Sequence, residues 1–228
     1  MKVGAGPRIL AFDTSGPLCA AVLWSGGGVI AEEREAMTRG QAERLFPMLE
    51  AVLEAGGADW ADLDAVGVGI GPGNFTGLRI AVAAARGLAL SLGRPAIGVS
   101  AFEVIRELGG ATGAETTWAV YPGPRDGYYA QLVTGDGPRG DAQLLTPAQL
   151  AGIAEERTAA PRFLGPAPDA GAPSGWVDVP VHGADWVPAL ARCAVGHLAA
   201  GHFVAPTPLY VRPPDAAPPK EAPPVILE

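Results

Sequence analysis

Gly69-Ile-Gly-Pro-Gly-Asn-Phe-Thr-Gly-Leu-Arg79 is the stretch on which the fold turns. The apolar run Asp64–Ile70 reads as a buried strand, Gly71-Pro-Gly-Asn74 as a tight turn, and Phe75–Leu92 as a long helix ended by Gly93. Glycines after a strand let the backbone bend sharply and approach another group closely, and a helix N-terminus offers free amides to an anion. A phosphate loop, however, needs Gly-Lys-Ser/Thr, and a dinucleotide loop needs Gly-x-Gly-x-x-Gly. Here no lysine follows and Pro72 breaks the second pattern. The stretch reads as a turn that launches a helix, not as a phosphoryl-transfer loop.

Working outward, Ile9–Asp13, Cys19–Trp24 and Val29–Glu35 read as a three-stranded meander, with Ser25-Gly-Gly-Gly28 as a hairpin connection. Over Gln41–Ala55 the period changes. Leu45, Met48, Leu49, Val52 and Leu53 form a helical stripe ended by Gly56-Gly57. Downstream, Ala96–Val99 is a strand and Ala101–Leu108 a helix, so the order through residue 108 is βββαβαβα. Beyond it, Trp118–Tyr121 and Tyr128–Thr134 predict strands, Thr146–Glu156 a helix, Phe163–Leu164 a short strand, and Trp186–Ala200 a helix closed by Gly201. From Pro206, eight prolines in nineteen residues predict an extended tail. The expected organisation is an N-terminal lobe over 1–108, a reduced C-terminal lobe over 109–205, and the tail 206–228.

The 228 residues are 48% apolar and 18% charged, as expected of a globular chain. A net charge of −8 makes the chain a poor candidate for gripping nucleic acid alone, which requires clustered Lys and Arg. Cys19 and Cys193 lie in apolar segments and read as buried free thiols. Asp13 cuts the first apolar run, against a signal-peptide core, and Ile80–Leu92 carries Arg86 and is short for a bilayer, so a cytoplasmic protein without a membrane partner is expected. His182, His197 and His202 show no metal-ligand spacing, and no Gly-x-Ser-x-Gly elbow is present. Asp13-Thr14-Ser15, following a strand directly, is a candidate for holding a phosphate or a metal-bound water, or simply a hydrogen-bonded turn. The helix Phe75–Leu92 is apolar nearly all round, so its surplus face must meet either the Gln41–Ala55 helix or a second chain.

Ile9-Leu-Ala-Phe-Asp-Thr-Ser15, Arg44-Leu-Phe-Pro-Met-Leu49 and Gly69–Arg79 together resemble the TsaB (YeaZ) family. Gly87-Leu-Ala-Leu90, Ile97-Gly-Val-Ser100 and Pro208-Leu-Tyr-Val-Arg212 extend the resemblance. It implies an actin-like, ribonuclease H-like (ASKHA) α/β fold of two lobes with βββαβαβα cores. It further implies a non-catalytic subunit for making N6-threonylcarbamoyladenosine at position 37 of tRNAs reading ANN codons. Such a subunit supports a TsaD-like catalytic subunit, is joined by a TsaE-like ATPase, meets tRNA only through the complex, and can form a homodimer. No catalytic or metal-ligating residue is expected in this chain and no cofactor is required, with ATP or ADP near Asp13, Thr14 and Ser15 as a weak candidate. The implied partner surface comprises Gln41, Leu45, Met48, Leu49, Val52, Phe75, Arg79, Val82 and Arg86. Gln41 stands where the family often has histidine, and Pro122-Gly-Pro-Arg125 replaces a carboxylate-bearing turn. The alternative is a small-molecule kinase or peptidase-like enzyme of the same fold.

Overall fold

The computed structural model describes residues 6–111, 117–155, 161–168, 172, 174–201, 203 and 205–211. The first sheet is built from β1 (Ile9–Asp13), β2 (Leu18–Ser25), β3 (Gly28–Ala36), β4 (Ala65–Gly69) and β5 (Ala96–Val99) in the order β3-β2-β1-β4-β5. The meander pairs antiparallel, whereas β1, β4 and β5 are parallel. Parallel strands need crossovers, and α2 (Phe75–Leu92) supplies the one between β4 and β5. α1 (Gln41–Ala55) lies beside it on the same face, over Leu10, Phe12, Leu23, Val66 and Val68. The opposite face carries Ile9, Ala11, Val22 and Val99. Burial on both faces explains why these strands are continuous apolar runs rather than alternating ones.

The second sheet repeats the first. Its strands β6 (Thr117–Pro122), β7 (Tyr128–Thr134), β8 (Gly137–Leu145), β9 (Arg162–Gly165) and β10 (Trp176–Asp178) run in the order β10-β9-β6-β7-β8. This is the same topology, with α4 (Pro147–Glu155) in the place of α1. Among the described residues no helix lies between β9 and β10. β8 and β10 go beyond the sequence reading: β8 is an almost wholly exposed edge and β10 has three residues, so neither shows an apolar period.

The last helix of each lobe crosses to the other. α3 (Ala101–Leu108) lies on β6 and β7 of the second sheet, while α5 (Trp186–Ala200) lies on β1, β2, β4 and β5 of the first. The two helices pack on each other between the sheets, around Phe102, Ile105, Trp186 and Leu190. The architecture is the actin-like two-lobe fold. Of the expected tail, 206–211 is described and lies on the first lobe, where the Leu209 amide donates to the Ile70 carbonyl at 2.8 Å. The part over 212–228 lies outside the described residues, as does His202.

Candidate functional site

The turn after β1 and the turn before α2 are locked together. Thr14 Oγ1 donates to the Gly77 carbonyl at 2.7 Å, and the Asn74 amide donates to the Ser15 carbonyl at 2.6 Å. Asn74 also caps α2, its side chain accepting from the amides of Thr76 and Gly77 at 2.9 and 3.1 Å. The approach leaves no room for side chains. A Cβ on Gly69 would meet the Asp13 carboxylate at 2.6 Å, on Gly73 the Ser15 carbonyl oxygen at 2.5 Å, and on Gly77 the Thr14 carbonyl oxygen at 1.9 Å. Three glycines of the opening stretch are thus required by Asp13-Thr14-Ser15 rather than by a ligand.

The three residues of the candidate nucleotide site are placed differently. Asp13 is buried, and both its oxygens are engaged: Oδ1 accepts from the Ser15 amide at 2.7 Å and Oδ2 from the Trp186 indole at 2.8 Å. Thr14 is turned into the protein, and Ser15 alone of the three lines the cleft between the lobes. The cleft, about 650 Å³, is bordered by Ser15, Arg34, Gln41, Asn74, Tyr121 and His182. His182 joins the lobes there. Its Nε2 shares a hydrogen bond of 2.7 Å with the Tyr121 hydroxyl, its carbonyl accepts from Arg34, and its ring packs at a tilt of 51° against Trp186, 4.7 Å between centroids. Burial, with Arg34 adding to it, holds its pKa below the usual histidine range. Among the described residues, no cluster of three His, Cys, Asp or Glu is placed to hold a metal ion.

The two helices on the outer side of the first sheet present a different surface. Leu45, Met48, Leu49 and Val52 of α1 and Val82 of α2 face the sheet and are buried, as an apolar stripe on a sheet-covering helix must be. These expected partner residues are core residues, and Gln41 is buried at the cleft, its amide donating to the Met37 carbonyl at 3.3 Å. Phe75, Arg79 and Arg86 are exposed, where a partner can reach them. The outward face of α1 carries Glu43, Phe46, Pro47, Glu50 and Glu54, and that of α2 adds Ala83, Gly87 and Leu90. Leu90 is 87% exposed. At its full 18 residues α2 is long and apolar enough, by length and composition, to cross a membrane. It nevertheless lies along the sheet with Gly77, Leu78, Ala81, Val82 and Ala85 buried, leaving much apolar surface uncovered. Arg44 holds α1 in place, its Nε on Glu35 at 2.6 Å and a terminal nitrogen on Glu33 of β3.

The family model of TsaD, described as tRNA N6-adenosine threonylcarbamoyltransferase, matches residues 23–120. The Escherichia coli K12 tRNA threonylcarbamoyladenosine biosynthesis protein TsaB is 43% identical over 93 residues, 41% of this chain and 40% of that protein. The match therefore spans about two-fifths of that relative's length. Among solved structures, one titled as YeaZ from Pseudomonas aeruginosa aligns with a TM-score of 0.67 at 28% identity, covering 90% of this chain and 99% of that one. A second from the same organism, titled as an uncharacterized protein with similarity to peptidase YEAZ, has a TM-score of 0.71 at 28% identity and coverages of 90% and 100%. These similarities point to the TsaB/YeaZ family.

A polar clamp between α3 and α5 escaped the sequence reading. Glu103 accepts from the Ser100 amide at 2.8 Å, capping α3, and pairs with His197 at 2.8 Å. Burial alone would raise the Glu103 pKa, but the bonds from His197 and Ser100 outweigh it and hold it low. His197 is raised in turn by its bond to Glu103. Arg192 adds a bond to Glu107 at 2.8 Å. Cys19 and Cys193 are free and buried, and burial pushes their pKa values up to about 11 and about 12, so neither is a thiolate at neutral pH.

Proposed function

We propose that this chain is the non-catalytic partner subunit of a cytoplasmic complex that forms N6-threonylcarbamoyladenosine at position 37 of tRNAs reading ANN codons. It docks a TsaD-like catalytic subunit through the outward faces of α1 and α2, with a TsaE-like ATPase joining and tRNA held by the other members. The observation that carries this reading is the uncovered apolar face of α2, with Leu90 at its end, lying inside the segment that matches the TsaD family model. Two chains that share this segment present homologous helical faces, which can pack about a pseudo-twofold axis. The charges suit such packing: α1 turns Glu43, Glu50 and Glu54 outward, α2 turns Arg79 and Arg86 outward, and a twofold sets one against the other. The same complementarity would let two copies of this chain pair when the partner is absent.

The test is co-purification with the TsaD-family protein of the same genome. Phe46→Glu with Leu90→Glu places charge on the exposed faces without touching the core, and should abolish the complex while the melting temperature holds. Retention of the complex would refute the assigned surface. Normal threonylcarbamoyladenosine in a strain depleted of this chain would refute the function itself. For the rival enzyme reading, ATP turnover by the purified chain alone is the discriminating measurement. The engagement of both Asp13 oxygens within the protein counts against it.

A further inference from the structure

After α5 the chain returns to the first lobe and ends its described course on the first turn of α2. Pro206 is buried beside Gly98 of β5, where an added Cβ would lie 3.2 Å from the proline ring. Leu209 is bonded to Ile70, the residue that follows β4. Tyr210 then reaches residues 131 positions earlier in sequence: its hydroxyl accepts from Arg79 Nε at 3.0 Å. Its ring lies 5.3 Å from that of Phe75 at an interplanar angle of 31°. The Arg79 guanidinium carbon sits 3.7 Å from the centre of the Phe75 ring.

The guanidinium is therefore held by an aromatic face below and a hydroxyl at its inner nitrogen. Its two terminal nitrogens make no bond among the described residues. Phe75, Arg79 and Tyr210 are all exposed, Phe75 and Tyr210 by 40% and 41%. An arginine on the surface ordinarily loses much side-chain freedom when it binds. One already stacked and oriented loses less, and its planar fork matches a carboxylate through two parallel hydrogen bonds. Tyrosine, arginine and other aromatic residues are also the types that dominate binding energy at protein interfaces.

We infer that the C-terminal segment 206–210 is part of the docking surface, Tyr210 and Phe75 holding Arg79 as a fork for a carboxylate side chain of the docked TsaD-like subunit. This rests on the docking reading above and adds the chemistry of its anchor. The favoured occupant follows from charge. The fork lies at the start of α2, whose outward face is basic, and a homologous chain packed about a pseudo-twofold brings its counterpart of α1 there, a helix that in this chain is acidic. A nucleic-acid phosphate is the less favoured occupant on a chain of net charge −8. Arg79 is the anchor and Tyr210 a positioning residue.

The test measures the dissociation constant of the full chain for the TsaD-family subunit of the same genome, by calorimetry, with four variants. Arg79→Ala should weaken binding about thirtyfold, as removal of an interface anchor does. Arg79→Lys should recover little of the loss, since an ammonium has no fork. Tyr210→Phe keeps the stacked ring and loses only the hydroxyl, and should weaken binding about fivefold. The decisive readout is the double variant: Tyr210→Phe should add almost nothing once Arg79 is Ala, because the hydroxyl acts through the guanidinium. An undiminished Tyr210→Phe effect in the Arg79→Ala background would overturn the inference. So would binding within about twofold of wild type for both single variants while Phe46→Glu with Leu90→Glu abolishes it, and in that case the docking reading survives. Loss of tRNA binding by the assembled complex with unchanged subunit affinity would assign the fork to phosphate instead and also overturn it. If the wild-type chain itself does not bind the subunit, the docking reading fails and the fork fails with it.

Discussion

Gly77→Ala and Gly87→Ala place the same methyl group on the same helix and should move stability in opposite directions. By intrinsic propensity alone each exchange favours a helix by about 1 kcal/mol. At Gly87 nothing lies within 4 Å of the new Cβ, so that gain should be realised. At Gly77 the new Cβ would lie 1.9 Å from the Thr14 carbonyl oxygen, against about 3.4 Å for an ordinary contact, so α2 and the Asp13–Ser15 turn must part by about 1.5 Å. That movement breaks the Thr14 Oγ1 to Gly77 bond of 2.7 Å and the Asn74 to Ser15 bond of 2.6 Å. Each buried group left without its partner costs about 1–3 kcal/mol. With one such group counted per broken bond, subtracting the propensity gain leaves Gly77→Ala destabilised by about 1–5 kcal/mol. Urea unfolding followed by far-ultraviolet circular dichroism reads both values with a common slope. A Gly77→Ala protein as stable as Gly87→Ala would refute the claim that close approach, and not turn flexibility, requires this glycine.

Leu45→Ala should cost about 2–5 kcal/mol by leaving a cavity under α1, whereas Phe46→Glu, one residue on and exposed, should leave unfolding nearly unchanged; the same urea titration separates them. Stability should also depend on the two lobe-joining histidines with opposite signs. His197, raised above its ordinary 6.5, supports the fold below that pH and loses its contribution as pH rises through the folded value. Glu103, lowered from 4.5, contributes above 4.5 and loses its part as pH falls through its folded value, so the clamp is complete between 4.5 and 6.5. His197→Gln should flatten the decline on the alkaline side in urea midpoints taken across pH. His182 is lowered instead, so below 6.5 the unfolded chain takes up a proton that the folded one refuses, and stability falls there in wild type and His197→Gln alike. Tyr121→Phe should cost about 1–3 kcal/mol, since His182 Nδ1 already lacks a partner and Nε2 would lose its own; a melting temperature equal to wild type would contradict this.

The first lobe was legible because its physics is local. Strands buried on both faces are plain apolar runs, and α1, α2 and α5 begin and end on residues that sequence punctuation marks. β8 was not legible because a solvent-facing edge strand has no reason to alternate. The glycine string was visible as a pattern, but its cause was not: Gly77 answers to Thr14, 63 residues away, and nothing near Gly77 in sequence shows that contact. Of the residues expected at a partner surface, Leu45, Met48, Leu49, Val52 and Val82 lie on the buried side of their helices. An amphipathic stripe marks the side a helix buries, and the residues between, such as Phe46 and Leu90, are the ones left to meet another chain. Tyr210 stood in a motif already singled out, yet its partner residue could not be inferred from composition.

The exchange of terminal helices between lobes has a consequence for how the chain is made. A nascent chain that stops before Trp186 carries α1 and α2 on one side of its first sheet and nothing from α5 on the other, so Ile9, Ala11, Val22 and Val99 wait uncovered. The N-terminal half is synthesised first and completed last. The segment that carries α5 is therefore the part of the second half on which this face of the first lobe's core depends.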